Sequence, residues 1–280
     1  MRCPIRPALL LVIFALSACV GTDVGNPQEE PEEDAEVELN FSGYEQTNSS
    51  ALVLEERTRI DSAWVVLDEF QFQQSSSCGE EGEADVLEPL VIDLLASEPT
   101  YEPPFFIKEV GDYCRLDIGF ADVGVDQLPQ DAPQRLADHA IVVEGERADG
   151  VSFSIQGDFD DKLHLTGAMQ SFQLEEGRQS LIVGFALNAW IDEGALEDVE
   201  GEDPIVIDGT NHPELLDEFY KKVKRSAGLF RDQNDNAELD PDEQRDSMAE
   251  GRDETPDNNG RDEANRDAGA DGDRAPDGGL

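Results

Sequence analysis

From Val37 to about Ile207 apolar and polar residues alternate with a period of two, the pattern of strands that lay one face on a core. Val37, Leu39 and Phe41 alternate with polar neighbours. Residues 62–72 form a longer run rich in Val, Trp and Phe; residues 90–95 are a short apolar run broken by Asp93; residues 113–120 alternate again. Between the last two lies the stretch PTYEPP at 99–104, which cannot be a central strand because proline offers no ladder donor.

Two hairpins can be set in register from the pattern. Ile141, Val143 and Gly145 must share a face with Val151, Phe153 and Ile155. A three-residue connection, Ala148-Asp149-Gly150, places Val143 opposite Ile155 and Gly145 opposite Phe153, with Gly150 at the left-handed bulge position; a two-residue turn would reverse the faces. Downstream, Phe172 and Leu174 are expected to face Val183 and Leu181 across a two-residue turn at Gly177-Arg178, glycine first as a type II′ turn requires. Residues 181–190 are apolar on both faces at several positions and read as a central strand.

About eight to ten short strands with hairpin links and few helices predict a mostly β chain, an Ig-like or transthyretin-like antiparallel β-sandwich. One helix follows. Thr210, Asn211 and His212 supply capping chemistry, Pro213 fits the first turn and Glu214 suits the helix dipole. Leu215, Phe219 and Val223, joined by Leu216 and Tyr220, make an apolar stripe that should pack on the sandwich. Lys221, Lys222, Lys224 and Arg225 end it on the favoured side of the dipole.

Charge then narrows the function. The 280 residues hold 20 Lys and Arg against 65 Asp and Glu, a net charge of −45. That excludes a nucleic-acid binder, which needs a basic face, and argues against attraction to anionic headgroups. The acid is concentrated in two segments. Residues 19–36, rich in Pro and Glu, read as a solvated tether, and residues 244–280 as a disordered acidic tail, because neither can bury enough surface to offset ordering entropy. The folded part divides into a sandwich over 37–208 and a helix with a loop over 209–243.

The N-terminus sets the location. Arg2 and Arg6 precede an apolar run from Ala8 to Leu16, the layout of a secretory signal over residues 1–18, too short to span a bilayer, which takes about 20 apolar residues. Leu16-Ser17-Ala18-Cys19 resembles the lipobox of bacterial lipoproteins at all four positions. The resemblance implies cleavage before Cys19 and acylation of that residue, several acyl chains making a stable anchor. In that family Asp after the cysteine favours inner-membrane retention; Val20 stands here, which implies the outer membrane. The start, Cys19 through Pro27, is likewise similar to Gram-negative outer-membrane lipoproteins. The central stretch resembles lipoprotein β-domains of unassigned function at Trp64-Val65-Val66-Leu67, Ile92-Asp93-Leu94-Leu95 and Gly111-Asp112-Tyr113, which implies a fold and no activity. With Cys3 lost in the signal and Cys19 lipidated, Cys78 and Cys114 remain as an even pair in an exported protein and are expected to form a disulfide. Cys114 alternates in phase with Leu116, Ile118 and Phe120, so it should point into the core.

The sharpest chemical pattern is residues 232–243, DQNDNAELDPDE. A calcium loop of the EF-hand type wants oxygen ligands at its first, third and fifth places, a backbone carbonyl at the seventh, often a water-bridging side chain at the ninth and a bidentate Glu at the twelfth. Asp232, Asn234, Asn236, Glu238, Asp240 and Glu243 fill these places, with Leu239 as the apolar eighth residue. Asp240, Pro241 and Glu243 would open an exiting helix as cap, first residue and capping-box partner, and the helix from Pro213 would lead in through Leu229 and Phe230. Ala237 stands where the sharp turn favours Gly. A left-handed Ala costs about 1–2 kcal/mol, so the expected affinity for Ca2+ is weak, about 10⁻⁴–10⁻³ M.

Other chemistry is thin. His139, His164 and His212 have no metal-ligand spacing; His164, between Leu163 and Leu165, should face solvent. There is no Gly-x-Ser-x-Gly elbow, phosphate-cradling glycine loop or His-Glu-x-x-His, and the chain does not read as an enzyme. Trp64 and Trp190 should fill the core rather than stack on sugar. The sequence reading is a non-catalytic, lipid-anchored outer-membrane protein with a weak structural calcium site. The alternative is a glycan- or protein-recognition module of the envelope.

Overall fold

The computed structural model describes residues 34–45, 58–80, 82–96, 99–159, 161–200 and 202–252. The signal segment, the Leu16–Cys19 box, the tether up to residue 33 and the tail beyond residue 252 lie outside the described residues. The chain is mostly β. Its strands are β1 (Asp34–Tyr44), β2 (Arg59–Gln74), β3 (Asp85–Asp93), β4 (Phe105–Glu109), β5 (Gly111–Phe120), β6 (Ile141–Glu146), β7 (Ser152–Gly157), β8 (Leu163–Gly167), β9 (Phe172–Leu174), β10 (Gly177–Ala186), β11 (Ile205–Ile207), β12 (Ala227–Arg231) and β13 (Ala249–Arg252). Among the described residues two α-helices interrupt them, α1 (Glu193–Glu197) and α2 (Pro213–Ser226).

Hydrogen bonds link thirteen strands into one sheet in the order β11-β7-β6-β2-β5-β8-β13-β12-β10-β1-β4, with β3 added on β2 and β9 on β5. The sheet curls until its inner face meets itself. Phe41 of β1 lies against Phe70 of β2, ring centroids 6.0 Å apart, and Phe106 of β4 lies 5.5 Å from the same ring. Inward residues from both arms of the sheet, among them Leu39, Val65, Leu116, Val143, Leu165, Val183 and Leu229, form one buried core. α2 adds Leu216, Phe219 and Val223 to it. Trp190 is fully buried there, edge-on to both Phe185 and Phe219, with its Nε1 donating to Ser226 Oγ at 2.8 Å.

Two smaller clusters sit on the outer face, which explains strands that are apolar on both sides. Trp64 and Val66 of β2 are buried with Val123, Leu136 and Val142 under the connection between β5 and β6. Ile182 of β10 is buried with Phe230 and Leu239 beside Tyr44. β10 is central as the pattern predicts, flanked by β1 and β12, but it ends at Ala186, and a 3-10 turn over Leu187–Ala189 replaces the last part of the strand expected to Trp190.

The first hairpin has the expected register: Val143 pairs with Ile155 and Gly145 with Phe153, Arg147 N donates to Val151 O at 2.9 Å, and Gly150 has φ of 86°. The second does not form. β9 pairs with β5, Tyr113 opposite Phe172, while β10 runs parallel to β1 from Ala35↔Gly177 to Tyr44↔Ala186. A strand with two apolar faces gains more from a long ladder and cover on both sides than from a three-residue partner. This parallel pair, and that of β11 with β7, depart from the all-antiparallel arrangement expected.

Three boundaries also move. β1 starts at Asp34, inside the expected tether. The helix and loop over 209–243 are no separate unit, since β12 and β13 belong to the same sheet. The tail expected from residue 244 first supplies β13, which pairs with both β12 and β8. Cys78 and Cys114 are bonded, 36 residues apart in sequence and 6.1 Å apart at Cα. Cys114 is buried, 4 % exposed, as expected; a register shift between Gln73 and Gln74 buries its neighbour Tyr113 as well.

Candidate metal centre

Residues 232–243 form most of the connection between the antiparallel neighbours β12 and β13. The EF-hand flanks expected from sequence are corrected by this arrangement. α2 ends at Ser226 and Leu229 and Phe230 enter the loop as strand, because both are wanted in the sheet, Leu229 on the core and Phe230 on the outer cluster. On the exit side only a short 3-10 turn, Glu243–Arg245, follows. Leu239 is 8 % exposed and pins the loop onto the outer face of β10.

Within the loop the first residue organises the rest. Asp232 N continues the β10 ladder by donating to Ser180 O at 3.0 Å. Its carboxylate, 5 % exposed, gathers backbone donors: Oδ1 accepts from Asn234 N at 3.3 Å and Asn236 N at 3.2 Å, and Oδ2 from Ala237 N at 2.9 Å. Ala237 has φ of 60°, the left-handed turn its place in the pattern demands, and Asp235 has φ of 54°. Asn234 Oδ1 and Asn236 Oδ1 each accept from a backbone N–H two residues on, at 3.2 and 2.8 Å.

The loop closes through its last ligand position. Glu243, 3 % exposed, accepts from Gln233 N at 2.7 Å and from Asp240 N at 3.0 Å. The latter is the glutamate half of the expected capping box. The Asp240 half is diverted: its Oδ2 accepts from Asn234 Nδ2 at 2.8 Å and Asn236 Nδ2 at 3.4 Å. Asp232, Asn234, Asn236 and Asp240 are thus brought together, with Glu243 tied across the loop's ends and Glu238 contributing a turn residue. Among the described residues no three His, Cys, Asp or Glu side chains converge as a metal cluster. A site here must draw on the two Asn amide oxygens and the Glu238 carbonyl as well, which is the mixed oxygen set calcium accepts.

The other candidates resolve as structural contacts. His139 Nδ1 lies 3.1 Å from Asp158 and His212 Nε2 3.1 Å from Glu202. His164 is on the outer face but covers a buried carboxylate that sequence reasoning missed. Asp117, 3 % exposed, has His164 Nδ1 at 2.6 Å, Gln73 Nε2 at 2.6 Å and Arg115 Nε at 2.8 Å. The Arg115 contact is ionic and too poorly aligned for a hydrogen bond. Only the register of β5 with β8, Asp117 opposite His164, could have revealed this group. Both tryptophans are buried, so neither offers a stacking face. No helix of the described residues is long and apolar enough to cross a membrane. Comparison with known proteins gives no match: no family model fits the chain, and no curated protein or solved structure is significantly similar to it.

Proposed function

We propose that this chain is a non-catalytic lipoprotein of the outer membrane, anchored through Cys19, whose β domain carries a weak structural calcium site made by Asp232, Asn234, Asn236, Glu238, Asp240 and Glu243. The observation that carries the calcium reading is the turn around Asp232. Its carboxylate accepts from residues 234, 236 and 237 while Ala237 is left-handed. Asp240 joins the same turn by accepting from the Asn234 and Asn236 amides, so four residues at ligand places of such a loop lie together. On this reading a cation takes over the role of the two Asn N–H donors at Asp240, and its charge compensates Asp232 and Glu243, which have no ion pair among the described residues. The ion's contribution is to stability: binding the folded loop and not the unfolded one favours folding by mass action. The lipobox supports the anchor.

Calorimetric titration of the full chain with calcium chloride tests the metal. The expected outcome is one weak site of about 10⁻⁴–10⁻³ M, lost in Glu243→Gln. No heat in either form ends the calcium reading. For the anchor, labelling cells with a radioactive fatty acid should mark the wild type and not Cys19→Ser; two unlabelled proteins would refute it.

A further inference from the structure

The loop's first residue is also held from beneath, by side chains that the loop pattern does not contain. Ser180 Oγ donates to Asp232 Oδ2 at 3.1 Å, and Asn40 Nδ2 donates to Ser180 Oγ at 3.2 Å. The two come from β10 and β1. The parallel ladder sets Glu38 opposite Ser180 and Asn40 opposite Ile182, so Asn40 and Ser180 are diagonal neighbours on the outer face under the loop.

Asn40 is 1 % exposed, and its Oδ1 meets no hydrogen-bond donor among the described residues. A buried acceptor without a donor opposes folding, and an apolar side chain there would avoid that cost. Packing therefore does not account for Asn40, whereas its donation to Ser180 does.

The consequence falls on Asp232. Each Asp232 oxygen accepts two hydrogen bonds; Oδ2 takes the shorter ones, from Ser180 Oγ at 3.1 Å and Ala237 N at 2.9 Å, and is the one held by a side chain from the sheet. Oδ1 has only the longer backbone contacts, 3.2 and 3.3 Å. We propose that Asn40 and Ser180 are positioning residues of the calcium site: they pin Oδ2 so that Oδ1 is the oxygen presented to the ion. This rests on the calcium reading above, and adds that the sheet, rather than the loop alone, sets the affinity.

The test is calcium chloride titration of the full chain in five forms: wild type, Ser180→Ala, Ser180→Thr, Asn40→Ala and the Asn40→Ala/Ser180→Ala double variant. Outer-shell partners of metal ligands are worth about 10–100-fold in affinity. Ser180→Ala should bind about tenfold more weakly, and Ser180→Thr, which keeps the hydroxyl, should stay close to wild type. Asn40→Ala should weaken binding, with no further loss in the double variant, because its effect passes through Ser180. Thermal midpoints measured in chelator separate a loss of fold from a loss of affinity. If the wild type binds and Ser180→Ala binds equally well, or if the two losses simply add, the positioning role is overturned and the calcium site stands. If the wild type binds no calcium, the site itself fails, and the inference with it.

Discussion

Ala237 illustrates what one residue carries here. Its φ of 60° brings Cβ against the following carbonyl, a cost of about 1–2 kcal/mol. Glycine would remove that cost and give back about 0.4–1 kcal/mol through the freer unfolded chain. Ala237→Gly should therefore stabilise the fold by up to about 1.6 kcal/mol, read as a higher urea midpoint in chelator; a lower midpoint would mean that the turn is unstrained. The requirement for a left-handed residue at 237 was legible from spacing alone. Asp117 was not, since it becomes a buried, hydrogen-bonded side chain only when β8 brings His164 over it and Gln73 reaches it from β2. Trp190 lies between. Its burial follows from its apolar neighbours, but its hydrogen bond to Ser226 depends on where α2 ends.

At the scale of elements, the start of α2 is fixed by a residue just ahead of it. The Asn211 and Thr210 backbone N–H groups and the Asn211 amide hold the Asp208 carboxyl below its ordinary value, burial acting against them. A carboxylate with a lowered folded pKa adds stability above its unfolded pKa, about 3.9, and loses it as pH falls through the folded value. Asp208→Asn should thus flatten the decline of stability below about pH 4, measured as thermal midpoint against pH. Some slope should remain, because the Asp192 carboxyl is also lowered, first by the Ala195 N–H. The expected cap from Thr210-Asn211-His212 gives way to this arrangement, and His212 itself is left-handed with φ of 57°. The other end of α2 meets β13 closely. A Cβ on Gly251 would come 1.8 Å from Lys224 O, backbone against backbone. Gly251→Ala should cost about 1–3 kcal/mol and be seen as a lowered denaturant midpoint; a neutral result would show that β13 shifts freely.

For the whole molecule, β13 matters out of proportion to its length. It supplies the ladder that joins the arm ending in β8 to the arm beginning at β12, and the loop of residues 232–243 lies on the connection that leads into it. The disulfide acts near the N-terminal end of β5, tying Cys114 to the segment after β2. Replacing both cysteines by Ala should lower stability by about 3–4 kcal/mol, with the transition still cooperative in calorimetry. A loss below about 1 kcal/mol would mean that the β2–β5 ladder alone already restricts the unfolded chain.

Sequence by itself determined whatever depends on near neighbours: the period-two strands, the register of the Ala148-Asp149-Gly150 hairpin, the stripe of α2 and the left-handed place in the loop. These follow from side-chain alternation and turn geometry, which act over a few residues. Tertiary structure alone decided which strand lies beside which. β10 chose β1 over β9, β13 was drawn from a stretch that reads as solvated, and a register shift buried Tyr113 beside Cys114. Those outcomes balance the burial of a strand's two faces and edges against partners far along the chain, and no local pattern carries that information.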